Sequence, residues 1–339
     1  MSKNPHDRLL ELDALRGLAA ISVVFFHYTF QYTEVFHPSQ ATLFQFPLGR
    51  YGVQLFFIIS GYVIFMTLEK TSSPLDFIVS RFSRLYPCYW AAMLLTFSVV
   101  RIYPLPGYEV SFKQAFFNLT MLHKWFNVAS VDNVYWTLTV ELSFYFLIFV
   151  VFLTRGMKYI EALGFLLLTL MVINKSYLTI FHLHIPNIIT VSEFLIYGHL
   201  FFAGILFYNL KTKGHKWYRY FGLGACLLVQ HLLRDKPYVT LVVVVWFLFF
   251  YLFILNRLSW LAHKPLLYLG TISYSLYLVH QVIGYVIIRH LTDINANALL
   301  KIVIPIGCSL LLATLLTFGV EKPMMEHIRR AYKLMRGCN

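Results

Sequence analysis

The sequence predicts an all-α protein, a polytopic transmembrane helical bundle of about ten spans. Hydrophobic residues make up 59% of the 339 positions and charged residues only 13%, whereas charged residues make up about a quarter of an ordinary soluble domain. Ten apolar runs also approach the length of about 20 residues that a helix needs to cross a bilayer. These runs lie near residues 9–30, 51–69, 87–103, 134–153, 159–174, 190–210, 217–233, 238–255, 266–288 and 298–319.

The basic residues of the connections predict the orientation of the bundle. The connections on the side that holds both termini carry 18 lysines and arginines, and those on the opposite side carry 9. Because cytoplasmic connections are enriched in these residues, both termini are expected in the cytoplasm. The formal net charge of +13 is then mainly a topology signal, with some affinity for anionic lipid, and no nucleic-acid partner is expected.

The chain divides into a long membrane domain and a short tail. We expect residues 1–325 to form the transmembrane domain and residues 326–339 to form a basic amphipathic tail on the cytoplasmic surface. The first apolar run is expected to remain as a span, because it lacks the pattern of a cleavable signal peptide. The four cysteines show no paired spacing, so neither a disulfide framework nor a metal site is expected.

The first span carries two ionisable residues on one helical face. In "LRGLAAISVVFFH", eleven helical steps lead from Arg16 to His27, so the two side chains point within about 20° of each other and lie about 16 Å apart along the axis. A charge at membrane depth is costly and is retained where it faces protein, water or a ligand. A structural interpretation is also open, in which Asp13 pairs with Arg16 and His27 bonds a neighbouring helix.

Polar residues also lie in or beside the third and fourth spans. Arg81 and Arg84 stand one turn apart just before the third span, where paired guanidiniums suit phosphate oxygens and where positive-inside anchoring would also place arginines. The fourth span places Glu141 inside the membrane, where a carboxylate needs a partner. Trp136 begins that span and suits either interfacial anchoring or sugar stacking.

The ninth span carries a polar stripe. In "YLGTISYSLYLVHQ", Ser273, Tyr277 and His280 share one face of the helix, and Tyr274 flanks it. Hydrogen bonds between helices explain such a stripe as well as direct chemistry does.

Together these motifs resemble the acyltransferase-3 family of integral membrane O-acyltransferases. The resemblance rests on Arg16 and His27 and on "FFIISGY", "SRFSRLYP", "YWTLTVELSFY", "LGTISYSLYLVH" and "VEKP", which follow in that order between residues 8 and 325. One departure is Ser80-Arg81, where relatives often have two adjacent arginines.

The resemblance implies a ten-helix membrane enzyme. Such an enzyme takes an acyl group from cytoplasmic acyl-CoA, usually acetyl-CoA, and transfers it to a hydroxyl of a carbohydrate acceptor at the outer face. It implies a multi-pass protein of the bacterial cytoplasmic (inner) membrane that uses acyl-CoA as co-substrate and no metal. The acceptor, the acyl chain and the oligomeric state are left open.

Roles for individual residues follow from the resemblance and from acyl-transfer chemistry. His27 is expected to act as the general base, and a nucleophilic His27 that forms an acyl-imidazole is also chemically allowed. Glu141 is expected to orient His27, as a carboxylate does in hydrolytic triads. Arg81 and Arg84 are expected to hold the phosphates of acyl-CoA, and Arg16 to line the donor path or stabilise its polar groups.

Four residues are the candidates for binding the substrate: Trp136, Ser273, Tyr274 and His280. Of these, His280 and Tyr274 are expected to line the acceptor side or to stabilise the thioester oxyanion.

The main alternative function is a multi-pass transporter of a glycan-related or small anionic substrate, since buried Arg, His and Glu also mark substrate pathways. A transporter predicts inverted repeats or broken helices, and the sequence shows neither clearly.

Overall fold

The structure, a computed structural model, describes residues 9–37, 43–181, 189–234 and 236–337, and helices account for most of them. No strand occurs within these ranges, so the all-α prediction is confirmed. The α-helices, numbered in chain order, are α1 Leu10–Phe26, α2 Tyr32–Phe36, α3 Gly52–Leu68, α4 Pro74–Ile102, α5 Phe112–Asn118, α6 Trp136–Leu153, α7 Ile160–Phe181, α8 Ile189–Lys213, α9 Trp217–Leu233, α10 Pro237–Ile254, α11 Lys264–Asp293, α12 Leu300–Leu316 and α13 Lys322–Met335.

The long helices coincide with the apolar runs of the sequence. All ten predicted spans overlap a helix, namely α1, α3, α4 and each helix from α6 to α12. In the described part of the chain, eight helical segments are long and apolar enough to cross a bilayer. Those eight do not include α1, which continues through a π-helical turn into α2, or α9, which with 17 residues is shorter than each of them. The polytopic bundle is thus confirmed, whereas the count of ten spans and the cytoplasmic side of both termini stay predictions.

Helix α4 is longer than the span predicted from hydropathy. It begins at Pro74, a residue whose fixed φ suits the first turn of a helix, and it continues through Pro87. Arg81 and Arg84 therefore lie on the helix itself and not in the connection before it. The reason is that hydropathy locates only the apolar part of a helix, whereas backbone hydrogen bonding carries α4 beyond that part.

Close crossings at glycine join the central helices. A Cβ atom at Gly17 of α1 would lie 2.4 Å from the Leu266 carbonyl oxygen of α11, and one at Gly270 would lie 1.9 Å from the Asp13 carbonyl oxygen. The crossing of α3 and α8 is equally tight, since a Cβ at Gly61 would lie 2.1 Å from a carbonyl oxygen of α8. Small residues allow backbones to approach in this way inside membranes.

Two helices are interrupted by a π-helical turn. The first turn, His27–Gln31, links α1 to α2, and the second, Thr317–Glu321, links α12 to α13. Such turns are rare and often occur at functional sites, because the extra residue re-aims the side chains that follow. His27 opens the first turn and Glu321 closes the second.

The connection between α4 and α6 is tied to the bundle by buried polar groups. The Asp132 carboxylate accepts hydrogen bonds from the backbone N–H groups of Val134 and Val282, both at 3.1 Å. Burial raises the pKa of Asp132 to about 7 and lowers the pKa of His123 to about 4. The end of this connection at Asp132 is therefore buried against α11.

Helix α13 lies along the first turns of α4. Arg329 donates a hydrogen bond from Nε to Ser83 Oγ at 3.1 Å, and Tyr332 OH donates to Asp76 at 2.8 Å. The helix begins at Lys322, so it includes residue 326, where the basic tail was predicted to begin. The last two residues of that predicted tail, 338 and 339, lie outside the described residues.

Replacing Gly270 by alanine tests the crossing of α1 and α11. The added methyl group would overlap the backbone of α1, so we expect Gly270→Ala to lower the free energy of unfolding by about 1–3 kcal/mol. The measurement is the thermal unfolding midpoint of the purified protein in detergent.

Gly307→Ala in α12 is the matched control. No heavy atom lies within 4 Å of a Cβ at that position, so this variant should keep or slightly raise the midpoint, because alanine favours helix. Equal midpoints for the two variants would contradict the close crossing.

Candidate active site

Two cavities lie next to each other along α1. We call them the His27 cavity and the Arg16 cavity, with volumes of about 540 Å³ and about 100 Å³. The lining of the His27 cavity includes His27, Arg50, Gln54, Trp136, Tyr197, Arg234, Lys236 and Gln281. The lining of the Arg16 cavity includes Arg16, Ser60, Arg81, Arg84, Glu141, Tyr145, Ser273 and Tyr274. Val53 and Tyr277 line both cavities, so the cavities adjoin at these two side chains.

The two ionisable residues of α1 thus lie on adjoining cavities. Arg16 lines the smaller cavity and His27 the larger one. Their spacing of eleven helical steps puts both on one face of α1, and this face forms part of the wall of each cavity. Tyr277 stands between the cavities, and its hydroxyl accepts a hydrogen bond from Thr137 at 2.9 Å and donates one to the Val134 carbonyl oxygen at 3.2 Å.

His27 forms a hydrogen bond with a second histidine. Its Nδ1 atom lies 3.0 Å from Nε2 of His280 and 2.9 Å from the Val23 carbonyl oxygen. The two rings meet edge to face, with centroids 4.8 Å apart. His280 is completely buried, whereas His27 keeps 9% of its surface and lines the cavity. The imidazole of His280 therefore reaches the cavity only through His27.

The hydrogen-bond partners assign the tautomers of both rings. Carbonyl oxygens only accept, so Nδ1 of His280, within 3.1 Å of the Leu276 and Tyr277 carbonyl oxygens, carries a proton. By the same argument Nδ1 of His27 carries a proton and donates it towards Val23 and His280. The unprotonated Nε2 of His27 is then the ring atom left to act on a molecule in the cavity.

Contacts on both sides of His280 hold that ring in place. Tyr28 OH donates to the His280 carbonyl oxygen at 2.6 Å, and Tyr135 OH donates to the Leu278 carbonyl oxygen at 3.2 Å. Asp132 accepts from the Val282 N–H. These bonds tie α11 to the π-helical turn after α1 and to the residues just before α6, so two other segments of the chain set the position of His280.

The Arg16 cavity is rich in cations. Arg84 forms an ion pair with Glu321, which is buried and also accepts a hydrogen bond from Ser275 Oγ at 2.9 Å. Arg16 and Arg81 line the same cavity. Nε of Arg81 is buried and has no hydrogen-bond partner among the described residues. A buried donor without a partner is costly, which suits a site that receives an acceptor atom of a ligand.

The structure does not bring Glu141 to His27. Glu141 lines the Arg16 cavity, where its carboxylate accepts hydrogen bonds from Ser60 Oγ at 2.7 Å and from Tyr145 OH at 2.5 Å. The partner of His27 is an imidazole and not the carboxylate that the sequence led us to expect. The expected pairing fails because the depth of one helix relative to another is set by packing, which a single span does not encode.

The substrate-binding candidates divide between the cavities. Trp136 lines the His27 cavity. Ser273 and Tyr274 instead line the Arg16 cavity, where their hydroxyls donate to the carbonyl oxygens of Gly270 and Leu85 at 2.8 and 2.9 Å. Because the hydroxyl proton of Tyr274 is donated to the Leu85 carbonyl oxygen, it does not serve a thioester oxyanion in this arrangement. His280 contacts His27 and does not itself line either cavity.

Sequence reasoning missed several residues of the site. Arg50 and Arg234 were counted only as charges of the connections, and the structure puts both in the His27 cavity. Glu321 entered only as part of a motif, and it proves to be the partner of Arg84. In the ranges that the structure describes, no three His, Cys, Asp or Glu side chains are grouped so that they could hold a metal ion.

Comparison with known proteins identifies the family. A family model described as an acyltransferase domain, that of the acyltransferase-3 family, matches residues 9–318. The chain is 28% identical over 294 residues to a putative acetyltransferase, ORF330, of Acidianus two-tailed virus, which covers 83% of this chain and 84% of that protein. No solved structure matches the chain.

Shorter matches link the chain to proteins of rhizobia. It is 37% identical over 59 residues to the exopolysaccharide production protein ExoZ of Rhizobium meliloti (strain 1021), covering 17% of this chain and 19% of that protein. It is 29% identical over 152 residues to nodulation protein 10 of Rhizobium leguminosarum bv. viciae, covering 39% and 41%. The chain thus spans less than half of each of these two relatives. Because the family model covers nearly the whole chain, the protein belongs to the acyltransferase-3 family of membrane O-acyltransferases and is an acyltransferase.

Proposed function

We propose that this protein transfers an acyl group, acetyl in the first instance, from cytoplasmic acyl-CoA to a sugar hydroxyl of a cell-surface glycan or glycolipid. The observation that carries the proposal is the pair of adjoining cavities, one with three arginines and the other with an imidazole base. The names of two relatives refer to exopolysaccharide production and to an acetyltransferase, which supports a polysaccharide acceptor and an acetyl group. Membership of an enzyme family favours this function over the transporter alternative.

The Arg16 cavity is assigned to the donor. Arg16, Arg81 and Arg84 offer fixed guanidinium donors, which suit the phosphates and carbonyl oxygens of acyl-CoA. Its volume of about 100 Å³, against about 540 Å³ for the His27 cavity, suits a slender chain better than a nucleotide. The nucleotide therefore stays outside the Arg16 cavity, on the side of the bundle that the basic connections predict to be cytoplasmic. The pantetheine arm enters the cavity.

The His27 cavity is assigned to the acceptor and to the chemical step. Nε2 of His27 takes the proton of the sugar hydroxyl as its oxygen attacks the thioester carbon. The tetrahedral intermediate then collapses, the C–S bond breaks, and the leaving thiolate takes the proton back from His27. The products are the sugar ester and free CoA, and His27 returns to its neutral state.

His280 is a positioning residue in this step. When Nε2 of His27 gains a proton, Nδ1–H becomes a stronger donor, and Nε2 of His280 lies 3.0 Å away to accept from it. The geometry resembles that of a carboxylate behind a catalytic histidine, but the partner here is neutral. A route through an acyl-imidazole would use the same Nε2 atom of His27.

Replacing His27 tests the function itself. His27→Gln removes the base and keeps a side chain of similar length, so we expect turnover to fall at least about 100-fold while acetyl-CoA binding is kept. The assay measures free CoA released from acetyl-CoA in the presence of surface oligosaccharide, together with the acetyl content of the glycan by mass spectrometry.

Transfer that persists in His27→Gln would move the base to another residue. Uptake of the oligosaccharide without CoA release, in wild type and variant alike, would favour a transporter. An acetyl group found on the wild-type protein after mixing with acetyl-CoA alone, and not on the variant, would identify the two-step route.

A second prediction separates positioning from substrate contact. His280→Leu removes the acceptor for Nδ1–H of His27, so kcat should fall about 10–100-fold, and KM for both substrates should change little, because His280 touches neither cavity. His280→Gln, which keeps an acceptor atom, should restore part of kcat. Loss of kcat to the same extent in both variants, or a rise in KM, would contradict the assigned role.

A third prediction concerns the donor. Arg81→Gln should raise KM for acetyl-CoA about tenfold and raise KM much less for S-acetyl-N-acetylcysteamine, a thioester without phosphates. Arg330→Gln, which removes an exposed charge from α13, is the matched control and should leave both KM values unchanged. A parallel rise for the two donors in Arg81→Gln would argue against phosphate recognition.

A further inference from the structure

We infer that the acceptor of this protein is an anionic sugar, whose negative group is held by Arg50 and Arg234 at the rim of the His27 cavity. The inference rests on the proposed function for the choice of the His27 cavity as the acceptor site. It goes further by naming the class of acceptor and the residues that select it.

The charge of the cavity lining is one-sided. Three cations line the cavity, Arg50, Arg234 and Lys236, and its described lining residues include no Asp or Glu. Among the described residues none of the three takes part in an ion pair; Asp235, which separates two of them in the chain, lies outside those residues. Three other arginines, Arg84, Arg219 and Arg336, form ion pairs with carboxylates, that of Arg219 with Glu161 at 2.6 Å. A cavity of this kind attracts and orients an anion.

The guanidinium groups are held against aromatic rings. Arg50 lies over the ring of Phe26 at 5.5 Å and over that of Tyr51 at 5.8 Å, and Arg234 lies over the ring of Tyr197 at 5.0 Å. A cation over a ring face is attracted by the ring, and this contact does not use the N–H donors of the guanidinium. The two arginines are therefore prepared to receive oxygen atoms of a carboxylate or phosphate.

Buried amides in the same cavity point to a polyhydroxylated ligand. Gln54 and Gln281 line the cavity with exposures of 4% and 3%, and Oε1 of each has no hydrogen-bond partner among the described residues. A buried carbonyl oxygen without a partner costs free energy. Hydroxyl groups of a sugar are donors that would satisfy both oxygens.

Aromatic side chains complete the features of a sugar site. Trp136 and Tyr197 line the cavity with ring centroids 5.3 Å apart. Apolar ring faces suit the C–H faces of a pyranose, while the amides suit its hydroxyls. Arg50 and Arg234 then remain to bind a negatively charged substituent, which a neutral sugar lacks. Neutral glucose would use the amides and rings but leave Arg50 and Arg234 without a partner.

The test measures binding, because binding does not depend on acyl transfer. The probes are a disaccharide of glucuronic acid and glucose, the methyl ester of that disaccharide, glucose 1-phosphate and glucose. Each is titrated without acyl-CoA by NMR against the full-length protein in nanodiscs of zwitterionic lipid. We expect the acid to bind about tenfold or more tightly than its ester, and this preference to vanish in the double variant Arg50→Gln/Arg234→Gln.

Two further variants guard against indirect effects. Arg50→Lys/Arg234→Lys keeps both charges and should retain part of the preference. Arg101→Gln removes a charge that does not line the cavity and should leave the preference intact. If the glutamine variant fails to fold, the comparison of acid and ester in the wild-type protein still decides the matter.

Each outcome has a single meaning. A preference for glucose 1-phosphate over glucose, with none for the uronate, would support the inference and identify phosphate as the group held. Equal binding of each anion and its neutral counterpart in the wild-type protein would overturn it. Preferential binding of the acid without any acetyl transfer would leave this inference standing while the proposed function fails.

Discussion

The tight crossing of α1 and α11 is the constraint on which the rest of the site depends. Gly17 and Gly270 let the two backbones meet, so that a methyl group at Gly270 would lie 1.9 Å from the Asp13 carbonyl oxygen. With the two helices fixed at this distance, His27 on one meets His280 on the other at 3.0 Å. A wider crossing would separate the rings and leave Nδ1 of His27 with only its own helix as partner.

The two cavities differ in how far carboxylates balance the cations that line them. Around the Arg16 cavity the cations are partly compensated, with Arg84 paired to Glu321 and Glu141 nearby. The His27 cavity has cations without carboxylates among its described lining residues. Arg50 and Lys236 are exposed and Arg234 is half-buried, so water solvates these cations and they remain available to an anionic ligand.

Much of the fold was readable from the sequence, because apolar runs and helical periodicity are local properties. The common face of Arg16 and His27 followed from their spacing alone. The partner of His27 did not, since Glu141 and His280 are both polar residues inside spans and only packing decides which of them faces α1. Arg50 and Arg234 were hidden for another reason: basic residues at the ends of spans also arise from topology, and nothing in their neighbours marks them as part of a cavity.

Tyr277 has a consequence for the membrane itself. Its side chain lines both cavities where they adjoin, and its hydroxyl is held between Thr137 and the Val134 carbonyl oxygen. In a protein whose cavities open towards opposite faces of the bilayer, as proposed, a continuous water column between them would conduct protons and dissipate the ion gradient. An aromatic side chain held at the junction opposes such a column, so the transfer of a two-carbon group is compatible with a maintained membrane potential.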